Sequence, residues 1–294
     1  MAVDIQLRQA VQADAAGLEA FLARHAETSM FLRGNLAAHG VENRSHRHGT
    51  TFWLYANDGI TGVVGCSNGG YLMCQAPDAK DDFWFAAARA LAGRKIAGMT
   101  GVPEQVDAWI SALGLAEECF SVRDIDPLYH VQLDNLILPD TAQFLLRRPV
   151  AQDASLLAGW FDGFAQDTGM MPAGGMSGAV AAEAFIANNA ARLLIIDGTP
   201  VAMTSVNAAV GTTVQIGGVY VPPMYRGRGF GGAVVAVQLA ELRLEGVMAA
   251  ILFAANAVAA RGYERIGFRR IGSYALAMLK EPVLIKGTRD VFPT

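Results

Sequence analysis

Residues 219–232 read VYVPPMYRGRGFGG, a β-branched run that meets two prolines and then packs four glycines and two arginines into seven positions. The surrounding segment, Val214 to Ala236, predicts a strand, a short loop and a helix with a glycine-rich first turn. The first amides of a helix have no intrahelical acceptor and sit at the positive end of its dipole, so such a turn gathers donors that favour phosphate. Glycine at 227, 229 and 231 lets the backbone approach an anion without Cβ atoms in the way, and Arg226 and Arg228 add cationic donors beside it. A helix cap needs only one permissive residue, so this composition points to a ligand.

Gly227-x-Gly229-x-x-Gly232 also fits the dinucleotide fingerprint GxGxxG. That fold wants the strand to run straight into the first glycine and an acidic residue about 20 positions on. Here Pro222-Pro223-Met224-Tyr225 intervenes, and the next expected strand, Val247 to Ala254, ends near Asn256 with no Asp or Glu. A nicotinamide dehydrogenase is therefore disfavoured, and a Walker-type Gly-Lys-Ser is missing as well.

Outward from the loop, the chain repeats itself. Leu7-Arg8, Val11 and Asp14-Ala15 return at an offset of 139 as Leu146-Arg147, Val150 and Asp153-Ala154. The same offset carries Leu18 onto Leu157, Phe21 onto Trp160 and the hairpin signal Asp58-Gly59 onto Asp197-Gly198. Later, Leu113-Gly114-Leu115 matches Ile266-Gly267-Phe268 at an offset of 153, and the widening falls where the second copy carries the glycine loop. The first copy has Ala76-Pro-Asp-Ala-Lys-Asp-Asp82 there, with no glycine. Each copy reads as mixed α/β: strand, helix, hairpin, strand, helix, strand, helix, strand. Helices are expected in the second copy near 153–164, 179–188, 230–244 and 256–266. Leu138-Pro139-Asp140 marks the boundary, giving domains 1–139 and 140–294.

Bulk properties agree with two soluble modules. The 294 residues suit two domains, at roughly 100–200 residues each, and 52% hydrophobic content fills real cores. The net charge of −4 lacks the basic excess of a phosphate-tracking protein, so nucleic acid is not an expected partner. The longest nearly apolar run, Val247 to Ala260, is shorter than the roughly 20 residues of a membrane span. Asp4 and Arg8 interrupt any signal-peptide core, so a cytoplasmic location is expected. Cys66, Cys74 and Cys119 lack CxxC spacing and read as buried thiols. His46-Arg-His48 offers two imidazoles with no third ligand nearby in sequence, so it reads as a polar loop and no metal is expected.

The loop and its sequel resemble the GCN5-related N-acetyltransferases. Their cofactor loop, [Gln or Arg]-x-x-Gly-x-[Gly or Ala] after a strand, is matched by Arg226, Gly229 and Gly231. Their second signature is matched in register by Asn256, Ala259, Tyr263, Gly267 and Phe268. The resemblance covers about 146–280, and the first copy is a degenerate relative without the loop or the tyrosine. The resemblance implies a tandem pair of acyl-CoA N-acyltransferase domains, the second binding acetyl-CoA through the backbone of Arg226, Gly227, Arg228, Gly229, Phe230, Gly231 and Gly232. It further implies that Val219 and Val221 pair by their backbones with the pantetheine arm and the acetyl carbonyl, which would form an oxyanion site. Asn256 is expected to bond the arm or to cap its helix, and Tyr263 to protonate the leaving thiolate.

The general base stays open among Asp162, Asp167, Glu183 and a water chain, because the strand Thr212 to Val221 carries no Asp or Glu. The segment Met170 to Met176 is expected to shape the acceptor pocket. The expected acceptor is a small-molecule amine or a peptide amino group. A monomer is favoured over a dimer, and the competing function is a non-catalytic acyl-CoA-binding regulatory module.

Overall fold

The computed structural model describes residues 5–140, 143–168 and 177–286. The chain divides into two units, Met1–Ile125 with Ser273–Thr294, and Asp126–Gly272. In the first lie β1 (Arg8–Gln9), α1 (Ala15–Ala23), α2 (Met30–His39), β2 (Thr50–Ala56), β3 (Ile60–Ser67), β4 (Tyr71–Gln75), α3 (Asp81–Ala90), β5 (Lys95–Gly101) and α4 (Pro103–Ala112). Then comes β6 (Phe120–Gln132), whose second half belongs to the second unit. That unit continues with β7 (Leu145–Arg147), α5 (Ala154–Thr168), α6 (Gly178–Ala187), β8 (Arg192–Ile196), β9 (Thr199–Val210), β10 (Thr213–Tyr220), α7 (Phe230–Leu244), β11 (Ala249–Phe253) and α8 (Ala257–Arg265). The last strand, β12 (Arg269–Leu284), lies mostly in the first unit.

The strands of the two units follow one order. In the first unit the order is β1-β2-β3-β4-β5-β12, and in the second β7-β8-β9-β10-β11-β6, each antiparallel except at β4/β5 and β10/β11. The sixth strand of each unit comes from the other repeat: β6 follows α4 yet pairs with β11, while β12 follows α8 yet pairs with β5. The units therefore divide differently from the expected cut at residue 139. A turn such as Leu138-Pro139 marks where repeats meet along the chain, but a strand's partner is fixed by long-range pairing that local residues do not encode.

The repeat persists in atomic detail. Arg147 holds Asp153 with two bonds of 2.7 and 2.8 Å, and the same carboxylate accepts the Val150 N–H at 2.8 Å. Arg8, Asp14 and Val11 reproduce the arrangement at 2.7, 2.6 and 2.8 Å. Both aspartates close a single 3₁₀ turn before the helix rather than capping the helix itself. Asp197 and Gly198 both have positive φ, 47° and 76°, as the tight β8–β9 hairpin demands.

Strand alternation splits each core in two. On β8, Leu194 joins a cluster under α7 and α8 with Ile216, Val234 and Leu252, while Leu193 faces α5 and α6 with Leu157, Trp160 and Phe185. On β3, Val64 and Val63 divide in the same way between the α3/α4 cluster and the α1/α2 cluster. Among the described residues no helix is long and apolar enough to cross a membrane. Cys66 and Cys74 are buried, but Cys119 is only half-buried, contrary to expectation.

Candidate active site

The site begins where two parallel strands part. β10 pairs with β11 from Thr213↔Ala249 to Ile216↔Leu252, and the pairing stops there although both strands continue. On its other side β10 shifts register against β9 twice, between Gln215 and Ile216 and between Gly217 and Tyr220. Gly218, at φ 61°, makes the second irregularity possible. The backbone of Gly217–Tyr220 is thus left without a ladder partner on the β11 side, and unpaired main-chain groups demand a hydrogen-bonding occupant. Val219, whose backbone was expected to line this gap, lies within it and Val221, expected there too, lies just past it, and their side chains pack against the α7/α8 core. The Val221 carbonyl already accepts from Arg226 Nε at 2.9 Å, which leaves its N–H as the group on offer.

Past Tyr220 the chain turns through Pro223–Tyr225 and enters α7 at Phe230, as the sequence predicted. The N-cap is Gly229 at φ 78°, with no side chain to accept from the first-turn amides. A Cβ added at Gly227 or Gly229 would meet nothing within 4 Å, and at Gly231 only Val221 at 3.6 Å, so the helix end opens onto free space. Gly232 has a different reason to be glycine: its Cβ would lie 3.0 Å from the Gly262 carbonyl, so it serves the close packing of α7 on α8. The arginines also separate. Arg226 is turned from the loop: it pairs with Asp167 and lies 5.7 Å over the Tyr220 ring, so its side chain is not the free cation expected. Arg228 is exposed, with no partner among the described residues, and remains the cation beside the helix end.

Asn256 caps α8, its Oδ1 accepting from Val258 and Ala259 N–H at 3.0 and 2.9 Å. Seven residues on, Tyr263 is 6% exposed and packs 6.1 Å from the Phe268 ring. Burial pushes its phenol well above the ordinary tyrosine value, so it keeps its proton throughout the physiological range. Of the base candidates, Asp167 is committed to Arg226, Asp162 sits against Gly178 where α5 and α6 meet, and Glu183 is exposed on α6. Residues 170–176, expected to shape the acceptor pocket, lie outside the described residues. In the first unit, His46 stacks on His39 at 4.1 Å and accepts the His48 N–H. Among the described residues no group of three or more His, Cys, Asp or Glu could hold a metal.

Residues 172–268 match the acetyltransferase (GNAT) family, a span that contains the parting strands, the uncapped helix and Tyr263. That segment is a GNAT domain. No curated protein sequence matches the chain significantly. Among solved structures, a Drosophila protein aligns with TM-score 0.61 at 14% identity, covering 94% of this chain and 99% of its own. A GCN5-related N-acetyltransferase from Kribbella flavida gives 0.53 at 20%, covering 88% and 95%. A tandem GNAT protein from the clavulanic acid biosynthesis pathway gives 0.50 at 15%, covering 93% and 97%. At such identities these likenesses establish the fold, and they extend it beyond the GNAT segment into the N-terminal half.

Compared with the GNAT domain, the first unit closes the same place with its own side chains. β4 and β5 stop pairing at Met73↔Thr100, the counterpart of Ile216↔Leu252. The next free amide, Ala76 N–H, donates to the buried Gln105 side chain of α4 at 3.0 Å. Gln75, also buried, accepts from Thr28 and Ser29 at 2.9 and 3.1 Å. Asp81 and Asp82 fill the first turn of α3, so the positive helix end is met by carboxylates of the chain itself.

Proposed function

We propose that the protein transfers an acetyl or short acyl group from acetyl-CoA to an amine, that its second unit performs the transfer, and that its first unit binds no cofactor. The observation that carries this reading is the succession, within 14 residues, of a strand leaving its parallel neighbour at Ile216 and a long helix opening on Gly229 with bare amides. The first feature suits an extended amide-bearing arm that adds itself to a strand edge, and the second suits its pyrophosphate. The open space at Gly227, Gly229 and Gly231 fits such a group.

In this reading acetyl-CoA supplies an activated thioester. The amides of Gly227 to Gly231 hold the phosphates, with Arg228 as the accompanying charge, and the Asn256 Nδ2 group and free β10 backbone orient the arm. As the amine attacks, charge grows on the thioester oxygen, and β10 N–H groups fixed by the sheet need little reorganisation to meet it. Tyr263, held protonated by burial, donates to the departing thiolate. Titration calorimetry with acetyl-CoA, paired with a free-thiol assay over a panel of amines, tests the reading. One site per chain with amine-dependent thiol release supports it, binding without release points to a regulatory acyl-CoA-binding module, and no binding removes it.

A further inference from the structure

The register break between β9 and β10 places one side chain where nothing assigned so far requires it. Asn207 is the extra residue of that break: Gln215 pairs with Ala208 and Ile216 with Val206, so Asn207 bulges from the ladder onto the face turned from α7. There its carboxamide covers Gly217. A Cβ on Gly217 would lie 1.9 Å from Asn207 Nδ2 and 2.7 Å from Cγ, so any other residue at 217 would evict the amide. Ser205 donates to Asn207 Oδ1 at 3.2 Å and fixes the carboxamide, while Nδ2 has no acceptor among the described residues.

One pleat earlier on the same face, Gln215 is buried and donates to the Ile216 carbonyl at 2.9 Å, and its Oε1 has no donor among the described residues. Neither β9 nor β10 carries a charged residue, and the nearby Asp167 is neutralised by Arg226.

Resting on the transferase reading above, we propose that Asn207 determines acceptor specificity. Its Nδ2 group, oriented by Ser205 and given room by Gly217, donates to a neutral oxygen next to the acceptor's amine, so that hydroxylated or carboxamide-bearing amines are taken in preference to diamines. A second cation beside that amide would face its donors and find no carboxylate on β9 or β10 to pair with.

The test compares 2-amino-1,3-propanediol, glycinamide and 1,4-diaminobutane as acceptors for the full chain and for Asn207→Ala and Asn207→Asp. Asn207→Ala is expected to raise KM for the first two roughly three- to tenfold, with KM for acetyl-CoA unchanged. Asn207→Asp, isosteric but anionic, is expected to move preference toward the diamine. An acceptor KM within twofold of wild type in both variants, or a wild-type preference for the diamine, overturns the assignment. A second arm is independent of turnover: the Asn207 side-chain amide signals, identified by their loss in Asn207→Ala, are followed by NMR as the aminodiol is added in the presence of CoA. Absence of a shift overturns the subsite whatever the enzyme does, and a shift without thiol release refutes the transferase reading while leaving the subsite in place.

Discussion

Replacing Gly229 by Asp separates charge from shape at the helix end. Gly229 has φ 78°, a region that costs an L-residue about 1–2 kcal/mol and Asp or Asn less, and its Cβ would meet no atom within 4 Å. The free protein should therefore lose about 1 kcal/mol, some 2–4 °C in Tm for a domain of this size. The ligand would suffer far more. A carboxylate ~5 Å from a phosphate charge, at an effective dielectric of about 20, raises the energy by roughly 3 kcal/mol, so acetyl-CoA affinity should fall by about 100-fold or more. Gly229→Asn has the same shape without the charge and should lose markedly less. Calorimetric titration of the three proteins decides the matter. A Gly229→Asp Kd within threefold of wild type would falsify the phosphate cradle, and equal losses in the Asp and Asn variants would show that bulk acts instead of charge.

Tyr263→Phe keeps the buried ring and removes the proton donor, so kcat should fall by about 10²–10⁴ with the KM for acetyl-CoA nearly unchanged; near-wild-type kcat in a chemistry-limited assay would show that the tyrosine only packs. Gly232→Ala forces a methyl to 3.0 Å from the Gly262 carbonyl and should destabilise the protein by about 1–3 kcal/mol in urea unfolding, unlike Gly231→Ala. Acetyl-CoA should bind at one site per chain, and a second site that survives Gly229→Asp would contradict the closure of the first unit by Gln105, Asp81 and Asp82. The Arg8 guanidinium and the Val11 amide hold the Asp14 carboxyl down to about 2, below its unfolded value. Its contribution is thus present above about pH 4 and lost as pH falls toward 2. Asp14→Asn should lower Tm at pH 7 by a small amount, because Arg8 is largely exposed, and a difference that grows on acidification would reverse the assigned sign.

What the sequence revealed of this site was what local chemistry encodes. Four clustered glycines after a β-branched run have few structural explanations, and the helix start at Phe230 followed from them. Asp14 and Asp153, 139 positions apart, disclosed the repeat because each serves a turn contained in its own neighbourhood. Three things escaped because they depend on partners distant in sequence. Arg226 looks like a phosphate ligand until Asp167, 59 residues earlier, is seen to hold it. Gly232 belongs to the glycine cluster by position but to the α7/α8 contact by packing. The exchange of β6 and β12 leaves no local trace, since both are alternating strands acceptable to either sheet.

Asn207 combines both situations. Nothing in Thr199–Val210 announces a bulge, yet Gly217 is bare for the reason the structure supplies, an amide lying where its Cβ would be. Glycines in a strand can thus report what approaches the backbone. In β10 they mark the two places where the ladder yields: Gly218 by its positive φ, and Gly217 by making room for the Asn207 carboxamide.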